Sequence, residues 1–445
     1  MTESNPQQAS ADASTTRQPW HIAAERQGQA GPEPGWLSFR QTAALSRLAE
    51  SGLPTTDDED WRYTSLAEYT RRWTDYLVAI APTTASGRTT PSLPVPAGIC
   101  LDIIDGLIKL PAREMPAGLT VRSVGPRAAA PTDDFLQRLD ARSADSLVDV
   151  NTALLVDALL VETSAAAHIA EPVHVRVVSG GSEFCQPRLL VDLAPGSQLT
   201  LILEHTGTGG ALVNSVADIW LARDSRLDLI RVQALPADGM LTETTRIDVG
   251  EGASLALTSV DLGSQLSRQA VTVGLAGTGA AATVNGLFLA DGSRHIDNRT
   301  RIEHRAPQTT SRETFRGIAD GHGRGVFNGK IIVLPGAPGS NAALTNRNLL
   351  LASTAEIDTK PELEIYVDDV RCSHGATTGQ LDANALFYLR SRGLDPTTAR
   401  QVLTSAFLRQ GLEAISVPAL RDRLDAQLQA RLSGAAAGNG PGDAA

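Results

Sequence analysis

The sequence predicts a mainly β chain, built as a parallel β-helix with helical regions before and after it, and three observations carry that reading. Beyond Cys100 short apolar runs and period-two alternations are separated by Gly, Asp, Pro and Ser, which is the texture of strands and turns. Within that stretch one strand–turn–strand unit recurs at fixed spacing: Val191, Ile219 and Ile247 are each 28 residues apart, and so are Leu199, Leu227 and Leu255. Apart from one interlude at about Asp133–Leu160, helical periodicity is confined to the flanks, from Trp36 to Trp73 and from Asp382 onward. A constant period of that length is what stacked units produce, because one unit alone has nothing against which to bury its apolar face. A β-sandwich with hairpins of similar length is the alternative reading of the same residues.

Each segment has its own justification. Residues 1–34 are rich in Gln, Ser, Ala, Thr, Gly and Pro and are expected to form a flexible leader. The N-terminal helical region, 35–95, opens with Trp36, Phe39, Ala43 and Leu48 at roughly helical spacing, stopped by Gly52 and Pro54. Acidic 55–60 then leads into Trp61-Arg-Tyr-Thr-Ser-Leu66, and a Thr/Ser/Pro-rich stretch from Ala81 to Pro96 marks a boundary. The β-helix is assigned to 96–384, interrupted by a helical-looking interlude from about Asp133 to Leu160. Its repeat is Val191-Asp-Leu-Ala-Pro-Gly-Ser-Gln-Leu-Thr-Leu201, with a looser copy near Val273–Val284.

In the C-terminal helical region, 385–433, Ala385–Arg392 is a helix closed by Gly393, and Asp395-Pro396 caps and opens the next. Val402, Ala406 and Phe407 give that helix an apolar stripe, and Leu420, Leu424, Leu428 and Leu432 recur every four residues in a third. The Gly/Ala/Pro tail, 434–445, is expected to be disordered.

Composition bounds the function. Among 445 residues 42% are apolar, enough for a large core, and only 4% are aromatic, so that core is aliphatic. Thirty-nine basic against 50 acidic side chains give a net charge of −11, which removes a global basic field for nucleic acid. The longest apolar run, Thr152–Val161, is interrupted by Asp157 and too short for a bilayer, and the polar N-terminus lacks the form of a secretory signal. The expectation is a cytoplasmic protein without membrane contact. Cys100, Cys185 and Cys372 are scattered and odd in number, so neither a disulfide framework nor a four-cysteine metal site is expected. There is no P-loop and no H-E-x-x-H helix.

Among the eight histidines, His168, His174 and His205 sit in strand context and read as structural, while His295, Glu303 and His304 occupy one polar stretch. In the extended run from Leu363 to His374, Cys372 and His374 are two apart and share a face. A thiolate and an imidazole on one face suit a soft or borderline metal, or an iron–sulfur species, but two donors do not close a site. A buried cysteine beside a structural histidine is the bland reading of the same pair.

The residues from Asn346 to Arg392 resemble the SufB/SufD family of iron–sulfur cluster assembly subunits. The resemblance lies in Lys360-Pro-Glu-Leu-Glu-Ile-Tyr366, Asp368-Asp-Val-Arg-Cys-Ser-His-Gly-Ala-Thr377, Leu386-Phe-Tyr-Leu-Arg-Ser-Arg-Gly393 and Trp61-Arg-Tyr-Thr-Ser-Leu66, and extends from about residue 36 to 432. Gly375 after His374 places the chain nearer the SufD branch, since SufB is expected to carry Glu there.

The resemblance implies a right-handed parallel β-helix and a non-catalytic role. It implies a complex with a SufB-like scaffold subunit and a SufC-like ATPase, so that ATP enters only through the partner. It further implies a transient iron–sulfur cluster at the junction with SufB, where His374 with nearby Cys372 supplies metal donors shared with the partner. The C-terminal helices, through Phe407, Leu420, Leu424 and Leu428, would dock the ATPase. A homodimer without SufB, a SufB-like chain acting as scaffold by itself, and a β-helix carbohydrate-active enzyme are the other readings. The last is weakened because adjacent Asp368 and Asp369 point to opposite faces of a strand.

Overall fold

The computed structural model describes residues 19, 20, 22, 36–79, 98–125, 130–141, 145–180 and 184–438. Most of the expected leader, the boundary segment at 81–96 and the end of the expected tail lie outside these residues. The chain is a parallel β-solenoid flanked by helices at both ends. Two long sheets run side by side, and each coil contributes one strand to each.

The first sheet is ordered β2 (Leu107–Lys109), β1 (Ile99–Ile104), β5 (Val173–Ser179), β8 (Gln198–Gly207), β10 (Arg226–Gln233), β12 (Ser254–Asp261), β14 (Ala281–Ala290), β16 (Thr310–Ala319), β18 (Ser340–Leu350) and β20 (Val370–Gly379). The second runs β19 (Glu356–Ile365), β17 (Arg324–Val333), β15 (His295–His304), β13 (Leu266–Leu275), β11 (Met240–Val249), β9 (Leu212–Leu221), β7 (Arg188–Leu193), β4 (Ala158–Thr163) and β3 (Leu119–Val124). Among the described residues only β1/β2 and β3/β4, at the starting end, pair antiparallel.

The 28-residue period is the height of one coil. Val191, Ile219 and Ile247 are laddered neighbours in one sheet, and Leu199, Leu227 and Leu255 in the other. The period then drifts, since Ile247 pairs with Val273 at 26 residues and Ile302 with Ile331 at 29, as turns shorten or lengthen while the inward column stays in register. Strand residues of one parity fill the interior with Leu, Val and Ile. Near its far end this aliphatic filling gives way to Phe288, Phe315 and Phe327. Phe315 and Phe327 lie with ring centroids 4.6 Å apart. Gly286 faces them because a Cβ there would lie 2.0 Å from the Phe315 ring.

Helices cover the outer faces. In α1 (Trp36–Ser51) the buried positions are Leu37, Ala44 and Leu48, so the inward face is rotated from the expected one and Phe39 is exposed. Gly52 ends it in the left-handed region, its N–H donating to Leu48 O at 2.9 Å. Tyr69 and Trp73 of α2 (Ala67–Ala79) bury against Leu212, Met240 and Leu266, which begin β9, β11 and β13. The expected helical interlude resolves into α3 (Asp133–Asp140) and α4 (Ser146–Ala153), and β4 begins at Ala158.

Beyond the solenoid come α5 (Ala383–Ser391), α6 (Pro396–Leu412) and α7 (Pro418–Gly438), with Asp382 and Asp395 as N-caps. The last helix extends past the point where the tail was expected to begin. None of the described helices is long and apolar enough to cross a membrane.

Candidate functional site

The two sheets end on β19 and β20, each paired on one side only. Their outer edges present unpaired backbone groups, and among the described residues nothing covers them.

Cys372 and His374 lie on β20. Parallel register sets Cys372 beside Ala342 and His374 beside Leu344, both on β18 and both core residues. Alternation therefore puts the thiol and the imidazole on the inward face of the last coil, as their spacing predicts. Cys372 is half-buried against the core end, whereas His374 is exposed because no further coil covers it. Burial pushes the Cys372 thiol up, with the Ala342 backbone pulling the other way, so Cys372 is a protonated thiol at neutral pH. It becomes a ligand only when a cation displaces that proton. Among the described residues no three of His, Cys, Asp and Glu come together in a metal-ligating group. Cys100, on β1, and buried Cys185 belong to the opposite part of the rod.

Behind His374 the inward column continues through Leu344 to Glu313 on β16. Glu313 is fully buried and accepts a hydrogen bond from Thr300, while its Oε2 has no partner. Desolvation pushes this carboxyl up to about 8, against the pull of Thr300. Sequence reading missed it, and the signal was available: a lone acid at an inward position two coils before His374.

The C-terminal leucines expected to face the ATPase are buried within this chain. Leu420, Leu424 and Leu428 are buried in one apolar cluster with Leu408 and Leu412 of α6 and with Ile202, Ile230, Val232, Val260, Leu287 and Leu289 on the outside of the first sheet. Their four-residue spacing is the inward stripe of α7, and it is spent on the chain's own solenoid. Arg423 reinforces the attachment with bonds of 2.7 and 2.8 Å to Glu204, which also pairs with His174 at 2.9 Å. Arg431 binds Asp291. Phe407 is partly buried beside the same cluster, with the Arg316 guanidinium 5.3 Å from its ring. The stripe expected in α6 is also displaced: Val402 and Ala406 are exposed, and Ala399, Leu408 and Leu412 are buried.

In the C-terminal part of the chain the exposed apolar side chains lie elsewhere. No residue of α5 is buried, and Phe387 and Tyr388 are 73% and 57% exposed. Ile365 and Tyr366, at the end of β19, and Val402 of α6 are exposed as well. The run Leu386-Phe-Tyr-Leu389 carries this signal, since four large apolar residues in succession leave a helix no single face to bury.

The remaining candidates are structural. His304 is buried, bonding Thr309 and Ser311 at 2.8 Å each, and desolvation lowers its pKa to about 4. His295 lies on the other face of β15, 2.9 Å from Thr64, and Glu303 pairs with Arg301 and Arg305, so the three do not converge. Trp61-Arg-Tyr-Thr-Ser-Leu66 clamps the N-terminal region to the second sheet. The Arg268 guanidinium stacks 3.5 Å from the Trp61 ring centroid, and Thr64 donates to Asp297 at 2.6 Å.

Comparison with known proteins places these features. Residues 176–407 match the family model described as SUF system FeS cluster assembly, SufBD core domain. The chain is 30% identical over 414 residues to an iron–sulfur cluster assembly SufBD family protein of Synechocystis, covering 88% of this chain and 91% of that one. It is 29% identical over 433 residues to the iron–sulfur cluster assembly protein SufD of Escherichia coli, covering 96% and 99%. A SufBD family protein of Mycobacterium leprae is 27% identical over 274 residues, 60% of this chain and 69% of its own length.

Proposed function

Since the chain belongs to the SufBD family and shares its role in iron–sulfur cluster assembly, we propose that it is the SufD-like, non-catalytic subunit of a SUF assembly complex. It joins a SufB-like subunit end to end through β19 and β20 and donates the His374 imidazole to a nascent cluster at the junction. The observation that carries this reading is an exposed histidine on the inward face of a terminal strand paired on one side only, a position that another polypeptide would complete. Similarity over almost the whole length to the protein named SufD, and Gly375 after His374, support the SufD side of the family.

The cluster is cargo in this reading. Cys372 and His374 are two donors, and the remaining ligands come from the partner. The protonated state of Cys372 suits reversible capture, because release returns a neutral thiol to a half-apolar site. A SufC-like ATPase docks on the C-terminal helices, now through exposed Phe387, Tyr388 and Val402 in place of the buried leucines. The chain lacks a P-loop, so ATP is hydrolysed by that partner.

Co-expression with SufB-like and SufC-like subunits tests the reading. His374→Ala leaves the complex intact on gel filtration and abolishes cluster reconstitution followed by absorbance under anaerobic conditions. Normal reconstitution by the variant removes His374 from the site. Phe387→Asp with Tyr388→Asp releases the ATPase from pull-down, and undiminished capture removes α5 from the docking surface.

A further inference from the structure

The two terminal edges differ in charge. On β20 the only charged side chain is Arg371, with His374 the one other titratable base. On β19 the inward parity holds Ile357, Thr359, Pro361, Leu363 and Ile365, with Leu363 against the core and Thr359 donating to Asn346 at 2.8 Å. The outward parity is Glu356, Asp358, Lys360, Glu362 and Glu364. Cations on one side serve these carboxylates sparingly. Arg324 of β17 is shared by Glu356 at 3.4 Å and Asp358 at 2.8 Å. Lys330, also of β17, is shared by Glu364 at 2.6 Å and Glu362 at 4.0 Å. Lys360 divides between Glu362 at 3.1 Å and Glu59 at 2.7 Å. Three cations therefore face five carboxylates, and the unpaired side of the strand has no cation from this chain among the described residues.

We propose that β19 reads the charge of whatever strand extends it, accepting one with Lys or Arg opposite its four carboxylates and disfavouring a second copy of this chain. The inference rests on the edge-pairing reading above. Like charges directly opposite across a ladder repel, and opposite charges attract. In the antiparallel self-pair of greatest overlap, Glu356 meets Glu364, Asp358 meets Glu362 and Lys360 meets Lys360, so all five outward positions face their own sign. Sliding the pair by two residues sets each Lys360 opposite Asp358, but leaves Glu356 against Glu362 on both sides and shortens the ladder. A basic strand meets neither obstacle.

The test uses the full chain and sedimentation equilibrium, in low and in high salt. In the variant Glu356→Lys with Glu362→Lys, the full-overlap self-pair acquires four opposite-charge contacts. These two positions hold the longer ion pairs to β17, so the substitution disturbs the fold least. The expected result is self-association at least about tenfold tighter than wild type, with Glu356→Gln, Glu362→Gln intermediate and the differences shrinking in high salt. As the probe for a basic strand, wild type is mixed with a copy carrying Lys at 356, 358, 362 and 364. The mixed dimer is expected to outcompete both self-dimers, with circular dichroism confirming that each variant is folded. Equal association in every combination overturns the charge reading and leaves edge pairing standing. Failure of every combination to associate overturns both.

Discussion

Glu313→Gln removes an ionisable group buried two coils behind His374. Glutamine keeps an Oε1 to accept from Thr300 and places an amide where Oε2 has no partner. The carboxyl is pushed up from 4.5 to about 8 because burial disfavours its charged form. Each unit is worth about 1.4 kcal/mol, so ionising Glu313 in place costs roughly 4–5 kcal/mol relative to the unfolded chain. The folded state binds the extra proton between those two values, so stability is fully present below about pH 4.5 and falls as pH rises toward 8. The slope of one proton is about 1.4 kcal/mol per pH unit, which amounts to roughly 3 kcal/mol between about pH 5.5 and 7.5. Urea unfolding followed by far-UV circular dichroism across that range compares the two proteins. The variant should gain on wild type by that amount as pH rises. Parallel profiles would refute the buried, protonated assignment.

Three further outcomes follow from packing and burial. Leu424→Ala should lose about 2–5 kcal/mol and expose α7 to limited proteolysis, whereas Val402→Ala, at an exposed site, should stay within about 0.5 kcal/mol. Gly286→Ala drives a methyl into the Phe315 ring and should cost about 1–3 kcal/mol, read as a lowered unfolding midpoint. Cys372 should alkylate with iodoacetamide more slowly than free cysteine at mildly alkaline pH, because burial holds its thiol protonated; an equal rate would show a reactive thiolate instead.

The solenoid was legible because its register is written as a period: Leu199, Leu227 and Leu255 are equidistant in sequence for the reason that they are adjacent in the ladder. Facing was legible at Cys372 and His374 because strand alternation needs no tertiary knowledge. What failed was deciding which apolar stripe meets the core and which meets a partner. Leu420, Leu424 and Leu428 look alike in either role, and only the outward Ile202, Ile230 and Val260 of the first sheet decide it. Those residues share strands with inward Leu201, Leu229 and Leu257, so a sheet apolar on both faces was itself the missed clue. Helix α1 failed more mildly, because Phe39 and Leu37 differ by half a turn and periodicity alone does not choose between them.

The bed of α7 has a consequence for how the rod comes apart. Leu408 and Leu412 of α6 and the leucines of α7 form one apolar cluster with residues drawn from β8, β10, β12, β14, β16 and β18, so the helix pair lies across six successive rungs. Stacked repeats ordinarily melt from their ends, each rung held only by its neighbours. Here the rung beneath His374 shares one apolar cluster, through the two helices, with a rung five rungs away. The terminal surface cannot fray by itself, and a pull on the helical end is delivered to the barrel as a whole.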